Sequence, residues 1–420
     1  MMFDIDTLQT LLNLPDIAID RVVLGERRTL EIHVHSTLEG THCHRCGKPI
    51  DHGYGLGQEI KLRHLPVFDY NTVLVLRPTR YQYRSCEGRP TTSQTLSCYT
   101  PRASITKPFE QQMLLELINS TLEDVSLKHV IGVDALQGLL DRRIEPEVDW
   151  NGIETLEVIG IDEIALKKGH RDFVVVISAY VKDRLHVIAL LPERNKAAVE
   201  AFFRSTPSSL RRTVAVVCSD LYQGFIGAAK AVFGKCVLIC ADRFHVARLY
   251  REGLETLRKR EFKRLRRTLS KASLDELKNA HWILRHRRTD LNADERRLLN
   301  HLFAHSPKLK DAYEACEALT AIYDSRLLKS QSKRKLRGWM RRVTNRKLTF
   351  FDRFIGTLET RFEEITNYFV GRRTSGFVEG LNNKIKVIKR RCYGMPSLKH
   401  LYHRVCLELD GYAQFGTARE

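Results

Sequence analysis

Residues 156–191 read LEVIGIDEIALKKGHRDFVVVISAYVKDRLHVIALL, and this stretch decides the fold. Its apolar runs are separated by short polar turns, which predicts consecutive antiparallel strands at 156–164, 173–181 and 185–191. Two helix–strand pairs are predicted to follow, with helices at 195–203 and 222–233 and strands at 214–218 and 236–240. A meander of three strands followed by helix, strand, helix and strand predicts a mixed α/β domain.

Two aspartates stand at defined places in this predicted sheet. Asp162 lies within the first strand, and Asp220 directly follows the fourth. Open α/β sheets carry their chemistry at the carboxyl ends of strands, and a carboxylate in a buried strand is costly unless a metal ion or another partner compensates its charge. Both residues therefore qualify as metal ligands. The alternatives are a helix cap for Asp220 and a polar strand-edge position for Asp162.

Other acidic residues compete for the same role. The rival carboxylates are Glu163, Asp172 and Asp242. Asp172 is predicted to lie in a turn. Asp242 and His245 follow the fifth strand and are predicted to contact the metal ligands without binding the metal themselves.

Residues 371–391, GRRTSGFVEGLNNKIKVIKRR, carry seven Lys or Arg and one acid, Glu379. Apolar residues recur at spacings of three and four, which predicts an amphipathic helix with a buried stripe formed by Val378, Leu381, Ile385, Ile388 and Cys392. Nearby cations favour the ionised form of Glu379, which could hold a divalent metal where polyanionic substrate is attracted. The alternative is a solvated basic helix with one stray acid.

The N-terminal region contains a C-x-x-C turn, Cys43-His44-Arg45-Cys46-Gly47, after a predicted hairpin at 18–36. Such a turn presents two thiolates to one tetrahedral metal, and a structural zinc ion needs two further ligands. We predict Cys86 and Cys98 for these positions, with His42, His44 and His52 as alternatives for the fourth. Tyr83 stands where a second C-x-x-C would begin, so a ribbon held by packing alone is the competing interpretation.

Residues 108–145 show two helical patterns interrupted at Gly132, with the second predicted at 134–143. This is the outline of a helix-turn-helix, in which Arg142 and Arg143 would reach DNA phosphates. Any two packed helices joined at a glycine produce the same pattern.

The chain has 420 residues and a net charge of +19, and the positive charge is concentrated toward its second half. Arg- and Leu-rich helices are predicted at 248–269, 274–285, 293–304, 307–323 and 351–370. Segment 329–347 contains nine Lys or Arg, no acid and Trp339, which predicts a phosphate-tracking surface, although any one basic helix is more often a solvated face. The excess of basic over acidic residues favours nucleic acid over a membrane as the partner. The scattered cysteines are typical of a reduced, cytoplasmic protein.

Together these motifs resemble the DDE transposases of bacterial insertion sequences, and most of all the ISL3 family. The resemblance is carried by Gly160-Ile161-Asp162-Glu163, Cys218-Ser219-Asp220-Leu221-Tyr222, Asp242-Arg243-Phe244-His245 and the segment 375–386, SGFVEGLNNKIK. The Cys43–Cys46 turn and residues 86–92 fit as well, so the resemblance spans nearly the whole chain. Tyr83 departs from the zinc-binding pattern of the family.

The resemblance implies a ribonuclease H-like catalytic domain interrupted by an all-helical insertion, preceded by a zinc-ribbon-like module and a helix-turn-helix module. The implied segments are 1–105 for the ribbon, 106–150 for the helix-turn-helix, 151–245 and 366–420 for the two parts of the catalytic core, and 246–365 for the insertion. Asp162, Asp220 and Glu379 are the implied catalytic residues, holding two Mg²⁺ or Mn²⁺ ions about 3.5–4 Å apart for in-line attack at phosphate.

The implied activity is recognition of terminal inverted repeats, donor cleavage and strand transfer into target DNA, performed near the nucleoid by a dimer or a larger assembly. Contacts to the DNA backbone are expected from Arg372, Arg373, Asn383, Lys386, Arg390 and Arg391. Two other functions remain open at this point: a catalytically silent DNA-binding protein descended from such an enzyme, and another ribonuclease H-like nuclease such as a junction resolvase.

Overall fold

The computed structural model describes residues 5–145, 147–167, 171–181, 184–234, 236–372, 376–393 and 397–416. The chain divides into two compact units. The first unit comprises the residues up to Ile144 together with those from Cys406 onward, and the second comprises Glu145–Val405. No helix among the described residues is both long and apolar enough to span a membrane.

The first unit begins with helix α1 (Ile5–Leu12) and continues with short strands. These strands are β1 (Ile17–Gly25), β2 (Thr29–Ser36), β3 (Thr41–His42), β4 (Pro49–Ile50), β5 (Gly53–Leu56), β6 (Ile60–Arg63), β7 (Asn71–Leu76), β8 (Thr79–Gln82) and β9 (Thr91–Ser93). Among the described residues they form sheets of order β1-β2-β7-β6, β3-β4 and β5-β8-β9. The antiparallel pairing of β1 with β2 confirms the predicted hairpin.

Three helices follow: α2 (Lys107–Leu117), α3 (Leu122–His129) and α4 (Val133–Arg143). The Thr121 side chain caps α3 by accepting a hydrogen bond from the Asp124 backbone N–H, which satisfies a donor that the first turn leaves open. Phe109 and Leu140 are buried in one hydrophobic cluster with Leu407 and Phe415 from the end of the chain. The predicted helix at 134–143 is therefore present and lies one residue from its expected start.

The second unit contains the predicted α/β core. Its elements are β10 (Val158–Lys167), β11 (Arg171–Val181), β12 (Arg184–Leu191), α5 (Lys196–Ser205), α6 (Ser208–Arg211), β13 (Val216–Ser219), α7 (Gln223–Phe233) and β14 (Leu238–Ala241). The described strands form one sheet of order β12-β11-β10-β13-β14. β10 to β12 are antiparallel neighbours, and β13 and β14 run parallel to β10.

The sheet is buried because its strands are apolar almost without interruption. Ile161, Val175, Ile177 and Val217 pack in one cluster with residues of α5 and α7, including Val199. Strands that are covered on both faces show such continuous apolar runs instead of alternation. The mixed α/β class predicted from the meander and the two helix–strand pairs is confirmed.

A helical region follows β14. Its helices are α8 (Arg243–Thr268), α9 (Lys271–Glu276), α10 (Ala280–Ile283), α11 (Ala293–His305), α12 (Pro307–Asp324), α13 (Lys329–Asn345), α14 (Asp352–Thr360) and α15 (Phe362–Asn367). The single helices predicted at 274–285 and 351–370 are wrong. The first is broken at Asn279, whose φ of 68° is left-handed, and the second is interrupted at Arg361, which lies outside helical geometry.

Trp339 is a core residue and not part of a DNA-facing surface, which corrects the expectation for segment 329–347. It is 1% exposed, and its indole N–H donates to the Ala315 carbonyl at 2.8 Å. Leu336 and Val343 are buried with it along one side of α13. The aromatic ring therefore stabilises the helical region, and only the basic face of α13 remains available to a partner.

The chain ends with helices α16 (Gly376–Arg391) and α17 (Leu398–Phe415). Four residues of the predicted stripe are at most 2% exposed, which confirms the amphipathic pattern: Val378, Leu381, Ile385 and Ile388. The Asn382 side chain contacts Asp162, and the Lys389 ammonium donates to the carbonyls of Ala165 and Leu166 at 2.7 Å. Asn382 and Lys389 are seven residues apart on the helix, a rise of about 10.5 Å, and their partners on β10 are three to four residues apart, a rise of about 10–13 Å. Because the two rises match and follow the same chain order, α16 runs alongside β10 in the same direction.

Candidate active site

Three aspartates lie level with one another across the parallel strands. Ile161 of β10 is in register with Ser219 of β13, and Ser219 is in register with Ala241 of β14. The residues that follow these positions are Asp162, Asp220 and Asp242. The strand pairing alone therefore aligns three carboxylates at the edge where α/β sheets place their sites.

Asp162 is only 8% exposed, and three polar groups lie next to its carboxylate. Its Oδ2 accepts a hydrogen bond from the Asn382 side-chain amide at 2.5 Å, and its Oδ1 accepts one from the Glu163 backbone N–H at 2.8 Å. His245 Nε2 lies 3.6 Å from the same Oδ1. These contacts compensate much of the cost of burying a charge in a strand.

Asp242 and His245 begin α8 and converge on Asp162. The Asp242 side chain caps the helix by accepting a hydrogen bond from the Phe244 backbone N–H at 2.7 Å. His245 Nε2 lies 3.8 Å from Asp242 Oδ2, and one ligand atom from each of Asp162, Asp242 and His245 lies within 4.8 Å of the others. The hydrogen bond to Asp162 raises the pKa of His245 against the opposing effect of burial.

Asp220 adds a further carboxylate to this group. Its Oδ1 accepts a hydrogen bond from the Tyr222 backbone N–H at 2.9 Å, which fixes the turn after β13. Burial raises the pKa of Asp220, the negative charge of Asp162 raises it further, and the positive charge of His245 acts in the opposite direction. We call Asp162, Asp220, Asp242 and His245 the carboxylate cluster.

The other rival carboxylates have different surroundings. Glu163 forms a salt bridge with Arg194, whose guanidinium also stacks on the Tyr222 ring at 4.7 Å. Burial raises the pKa of Glu163, whereas the positive charge of Arg194 lowers it. Glu163 is therefore already paired. Asp172 lies in β11 and not in the predicted turn, and its side chain is outside the described part of the structure.

Glu379 lies half-buried in the first turn of α16. It lines the same cavity as Asp242, and it precedes Asn382 by three positions, so both side chains project from one side of the helix. Because Asn382 contacts Asp162, α16 brings Glu379 toward the carboxylate cluster.

Sequence reasoning missed Asn382 and Arg194. Asn382 is 4% exposed and lies among the buried positions of α16. Its neighbour Asn383, which was predicted to contact DNA, is exposed. An Asn beside Leu381 in an apolar stripe was the available signal, because a buried amide requires hydrogen-bonding partners.

The predicted DNA-binding residues of α16 differ in accessibility. Asn383, Lys386 and Arg390 are exposed, and Arg391 is half-buried. Arg373 lies outside the described residues.

Arg372 is anchored within the second unit. Its guanidinium donates to the carbonyls of Tyr323 and Ser325 at 2.9 Å each and stacks on the Tyr368 ring. These contacts hold the segment before α16, and the phosphate contact of Arg372 stays a prediction.

In the first unit, Arg142 and Arg143 flank the buried carboxylate of Glu110. Arg142 lies 3.2 Å and Arg143 lies 3.7 Å from its oxygens. Both arginines thus offset a charge that is only 1% exposed, and Arg142 keeps 47% of its side chain accessible.

Three of the predicted zinc ligands come together in the first unit. The sulfurs of Cys43, Cys46 and Cys86 lie within 4.8 Å of one another, and we call these residues the thiol cluster. The Cys46 backbone N–H lowers the pKa of the Cys43 thiol, and burial raises that of Cys86. Tyr83 packs against a hydrophobic cluster formed by Cys43, Ile50 and Tyr81.

Cys98 does not join the thiol cluster. It is 4% exposed and packs with Leu8, Leu12 and Leu96 in the hydrophobic core of the β1-β2-β7-β6 sheet. The prediction of Cys98 as a ligand followed spacing alone, and the structure instead uses this small side chain for packing.

Comparison with known proteins shows similarity to transposases. The profile of the ISL3-type DDE family, described as "Transposase", matches residues 159–405. The transposase for insertion sequence element IS1001 of Bordetella parapertussis is 25% identical over 403 residues, covering 92% of this chain and 93% of the relative. The transposase for insertion sequence element IS1557 of Mycobacterium tuberculosis is 24% identical over 278 residues, or 61% of each chain.

The matched segment contains the sheet, the carboxylate cluster, the helical region and α16. The chain is therefore a transposase by family. Within that class, it belongs to the ISL3 family of DDE transposases.

Proposed function

We propose that this chain binds the terminal inverted repeats of an insertion sequence and catalyses metal-dependent DNA cleavage and strand transfer. The observation that carries the proposal is the alignment of Asp162, Asp220 and Asp242 by strand register, with α16 bringing Glu379 to the same cavity. A ribonuclease H-like catalytic domain with a helical insertion accounts for the strand order β12-β11-β10-β13-β14 and for the helices between β14 and α16.

The residues present fit a divalent metal. Burial and the negative charge of Asp162 both raise the pKa of Asp220, and a bound cation would remove that penalty. Carboxylate oxygens are the ligands that Mg²⁺ and Mn²⁺ prefer. Asp162, Asp220 and Glu379 would hold the metal, and Asp242 with His245 would support Asp162. A divalent cation at this place supplies neutralisation of the phosphate charge and activation of the attacking water or 3′-hydroxyl.

The chain's own residues prepare the cluster for this chemistry. Asn382 and the Glu163 backbone N–H fix the two oxygens of Asp162, and the turn closed by Tyr222 fixes Asp220. Arg194 neutralises Glu163, which keeps a further negative charge from acting on the phosphate. Exposed Lys386 and Arg390 on α16 are placed to contact the DNA backbone.

The first unit is proposed to recognise the element ends. A zinc-ribbon-like module organised by the thiol cluster and a helix-turn-helix formed by α3 and α4 would contribute the reading surfaces. Because two ends must be joined in one reaction, we propose a dimer or a larger assembly as the active form.

The test is cleavage of a duplex carrying the element's terminal repeat, with Mg²⁺ compared with EDTA. Asp162→Asn and Asp220→Asn should abolish cleavage while the affinity for the duplex stays within about twofold of the parent, because removing a metal ligand affects chemistry more than phosphate contacts. Asp275→Asn, at an exposed position of α9, is the matched control and should cleave normally. Full cleavage by Asp220→Asn would refute the proposal.

A further inference from the structure

A cavity of about 720 Å³ opens next to the carboxylate cluster and extends into the helical region. It lies between α8, the segment after α10, α12 and the first turn of α16. Its volume falls within the roughly 300–1,000 Å³ typical of pockets for small organic ligands. Asp242 and Glu379 form one end of it, so whatever occupies the cavity sits beside the proposed reaction centre.

The inner wall of the cavity is apolar and uncharged. Leu254, Leu284 and Cys316 line it and are at most 7% exposed. Burial raises the pKa of the Cys316 thiol to about 12, so this side chain stays neutral. An apolar wall at this depth suits a flat organic ring better than a hydrated ion.

Most of the charged side chains around the cavity already pair with one another. Arg258 donates to Glu255 at 2.8 Å, and Arg248 lies 3.3 Å from Glu252. Arg251 is the contrasting case: it is exposed, lines the cavity and forms no ion pair with any carboxylate in the part of the chain that the structure describes. Arg285 also lines the cavity and is exposed, but its guanidinium stacks on the Trp282 ring at 4.7 Å. Arg251 is therefore the guanidinium that the cavity offers to a ligand, beside an apolar interior.

Phe244 stands at the entrance, between Asp242 and His245 in the chain. Its ring is 49% exposed and meets the His245 ring edge-on at a centroid distance of 5.8 Å. An exposed aromatic face beside a site of phosphate chemistry is a platform on which a nucleobase can stack.

We propose that this cavity binds the nucleotide next to the cleaved phosphodiester after it has left the duplex stack, with its base on Phe244 and the apolar wall and its phosphate paired with Arg251. This inference rests on the proposed function and adds to it the part of the substrate that the helical region recognises. Enzymes that perform chemistry on a DNA base extrude the nucleotide from the duplex, and the cost of extrusion is lowest where the base is already mismatched. The same dependence on pairing is expected for extrusion into this cavity.

The first experiment measures extrusion without cleavage. Full-length protein carrying Asp220→Asn is bound to a terminal-repeat duplex with 2-aminopurine at the flanking nucleotide, because 2-aminopurine brightens when it leaves the base stack. We expect a severalfold rise in fluorescence on binding and loss of most of that rise when Phe244→Ala is added. A bound complex without any rise would overturn the cavity proposal, whether or not the parent protein cleaves DNA. A rise with a parent protein that never cleaves would support the cavity and refute the proposed chemistry.

The second experiment measures cleavage rates on a fully paired duplex and on one with a mismatch at the flanking base pair. Phe244→Ala should cut the paired duplex about tenfold more slowly than the parent, and the mismatch should restore most of that loss. Arg251→Ala should slow both duplexes, whereas Arg260→Ala, an exposed arginine of α8 outside the cavity, should behave as the parent. Equal slowing of Phe244→Ala on both duplexes would indicate a structural role for the ring and overturn the proposal.

Discussion

The carboxylate cluster of the second unit is assembled from residues far apart in the chain, whereas the thiol cluster of the first unit comes from two tight turns. Asp162, Asp220 and Asp242 meet because three strands share a register. Cys43 and Cys46 meet because Gly47, at a φ of 70°, closes the turn by donating to the Cys43 carbonyl. One cluster depends on the whole sheet being correct, and the other depends on a few hydrogen bonds.

The two clusters are therefore proposed to have different roles, one catalytic and one structural. The carboxylate cluster lies beside a cavity and is proposed to perform chemistry. The thiol cluster is proposed to hold a structural zinc, for which four ligands are usual and for which the described residues bring together three thiols.

The largest expected difference concerns Glu379. Glu379→Gln should lower the cleavage rate by about 10³-fold or more, because a metal-held carboxylate is worth several kcal/mol in the transition state. Binding to the terminal repeat, measured by gel shift at fixed salt, should not change. Glu359→Gln, at an exposed position of α14, is the control. Unchanged strand transfer by Glu379→Gln in Mg²⁺ would remove Glu379 from the site.

A smaller effect is expected at Asn382, which orients Asp162 without being proposed to hold metal. Asn382→Ala should reduce cleavage about 10–100-fold, the usual range for residues that orient metal ligands. The Mg²⁺ concentration for half-maximal rate should rise at the same time. Val387→Ala, at an exposed position of the same helix to which no role is assigned, separates this effect from general damage to α16. Equal behaviour of the two variants would show that the amide contact to Asp162 is not used.

For the thiol cluster, the expected change is in metal content. Purified parent protein should contain about one zinc per chain, and Cys46→Ser should contain almost none, because the thiolate is the ligand form. Cys236→Ser, an exposed cysteine of the second unit, should keep the metal. Zinc-free parent protein that still binds the terminal repeat would show that packing alone maintains this module.

The smallest expected effect is stronger retention of zinc after Tyr83 is replaced by cysteine. Tyr83 packs against the hydrophobic cluster that contains Cys43, and its carbonyl accepts a hydrogen bond from the Cys86 backbone N–H at 3.4 Å. Tyr83→Cys should therefore provide a fourth thiolate. The variant should retain zinc at EDTA concentrations that strip the parent protein. Tyr83→Ser, which removes the ring and adds no strong ligand, controls for lost packing. If both substitutions weaken metal retention equally, position 83 does not face the metal.

Sequence reasoning identified the features that depend on short-range patterns. The meander, the hairpin of β1 and β2, and the apolar stripe of α16 follow from periodicity, which is a property of neighbouring residues. The register that aligns Asp162 with Asp220 was also accessible, because parallel strands of an open sheet end at one edge.

Other features were inaccessible because they depend on tertiary contacts. Trp339 looked like part of a basic surface, yet it is buried against Ala315 from another helix. The Arg372 guanidinium donates to backbone carbonyls of α12 and of the residue after it, which its place in a basic segment did not reveal. The partners of the Trp339 and Arg372 side chains come from other parts of the chain, and composition and spacing do not reveal them.

Helix α16 follows the complete helical region in the chain, since α8 to α15 stand between Asp242 and Glu379. A ribosome therefore releases β10, β13 and β14 long before Glu379 and Asn382, which are proposed to hold metal and to orient Asp162. On the proposed function, a nascent or prematurely terminated polypeptide carries the sheet without a working nuclease. On that proposal, cleavage of DNA requires translation to have passed α16.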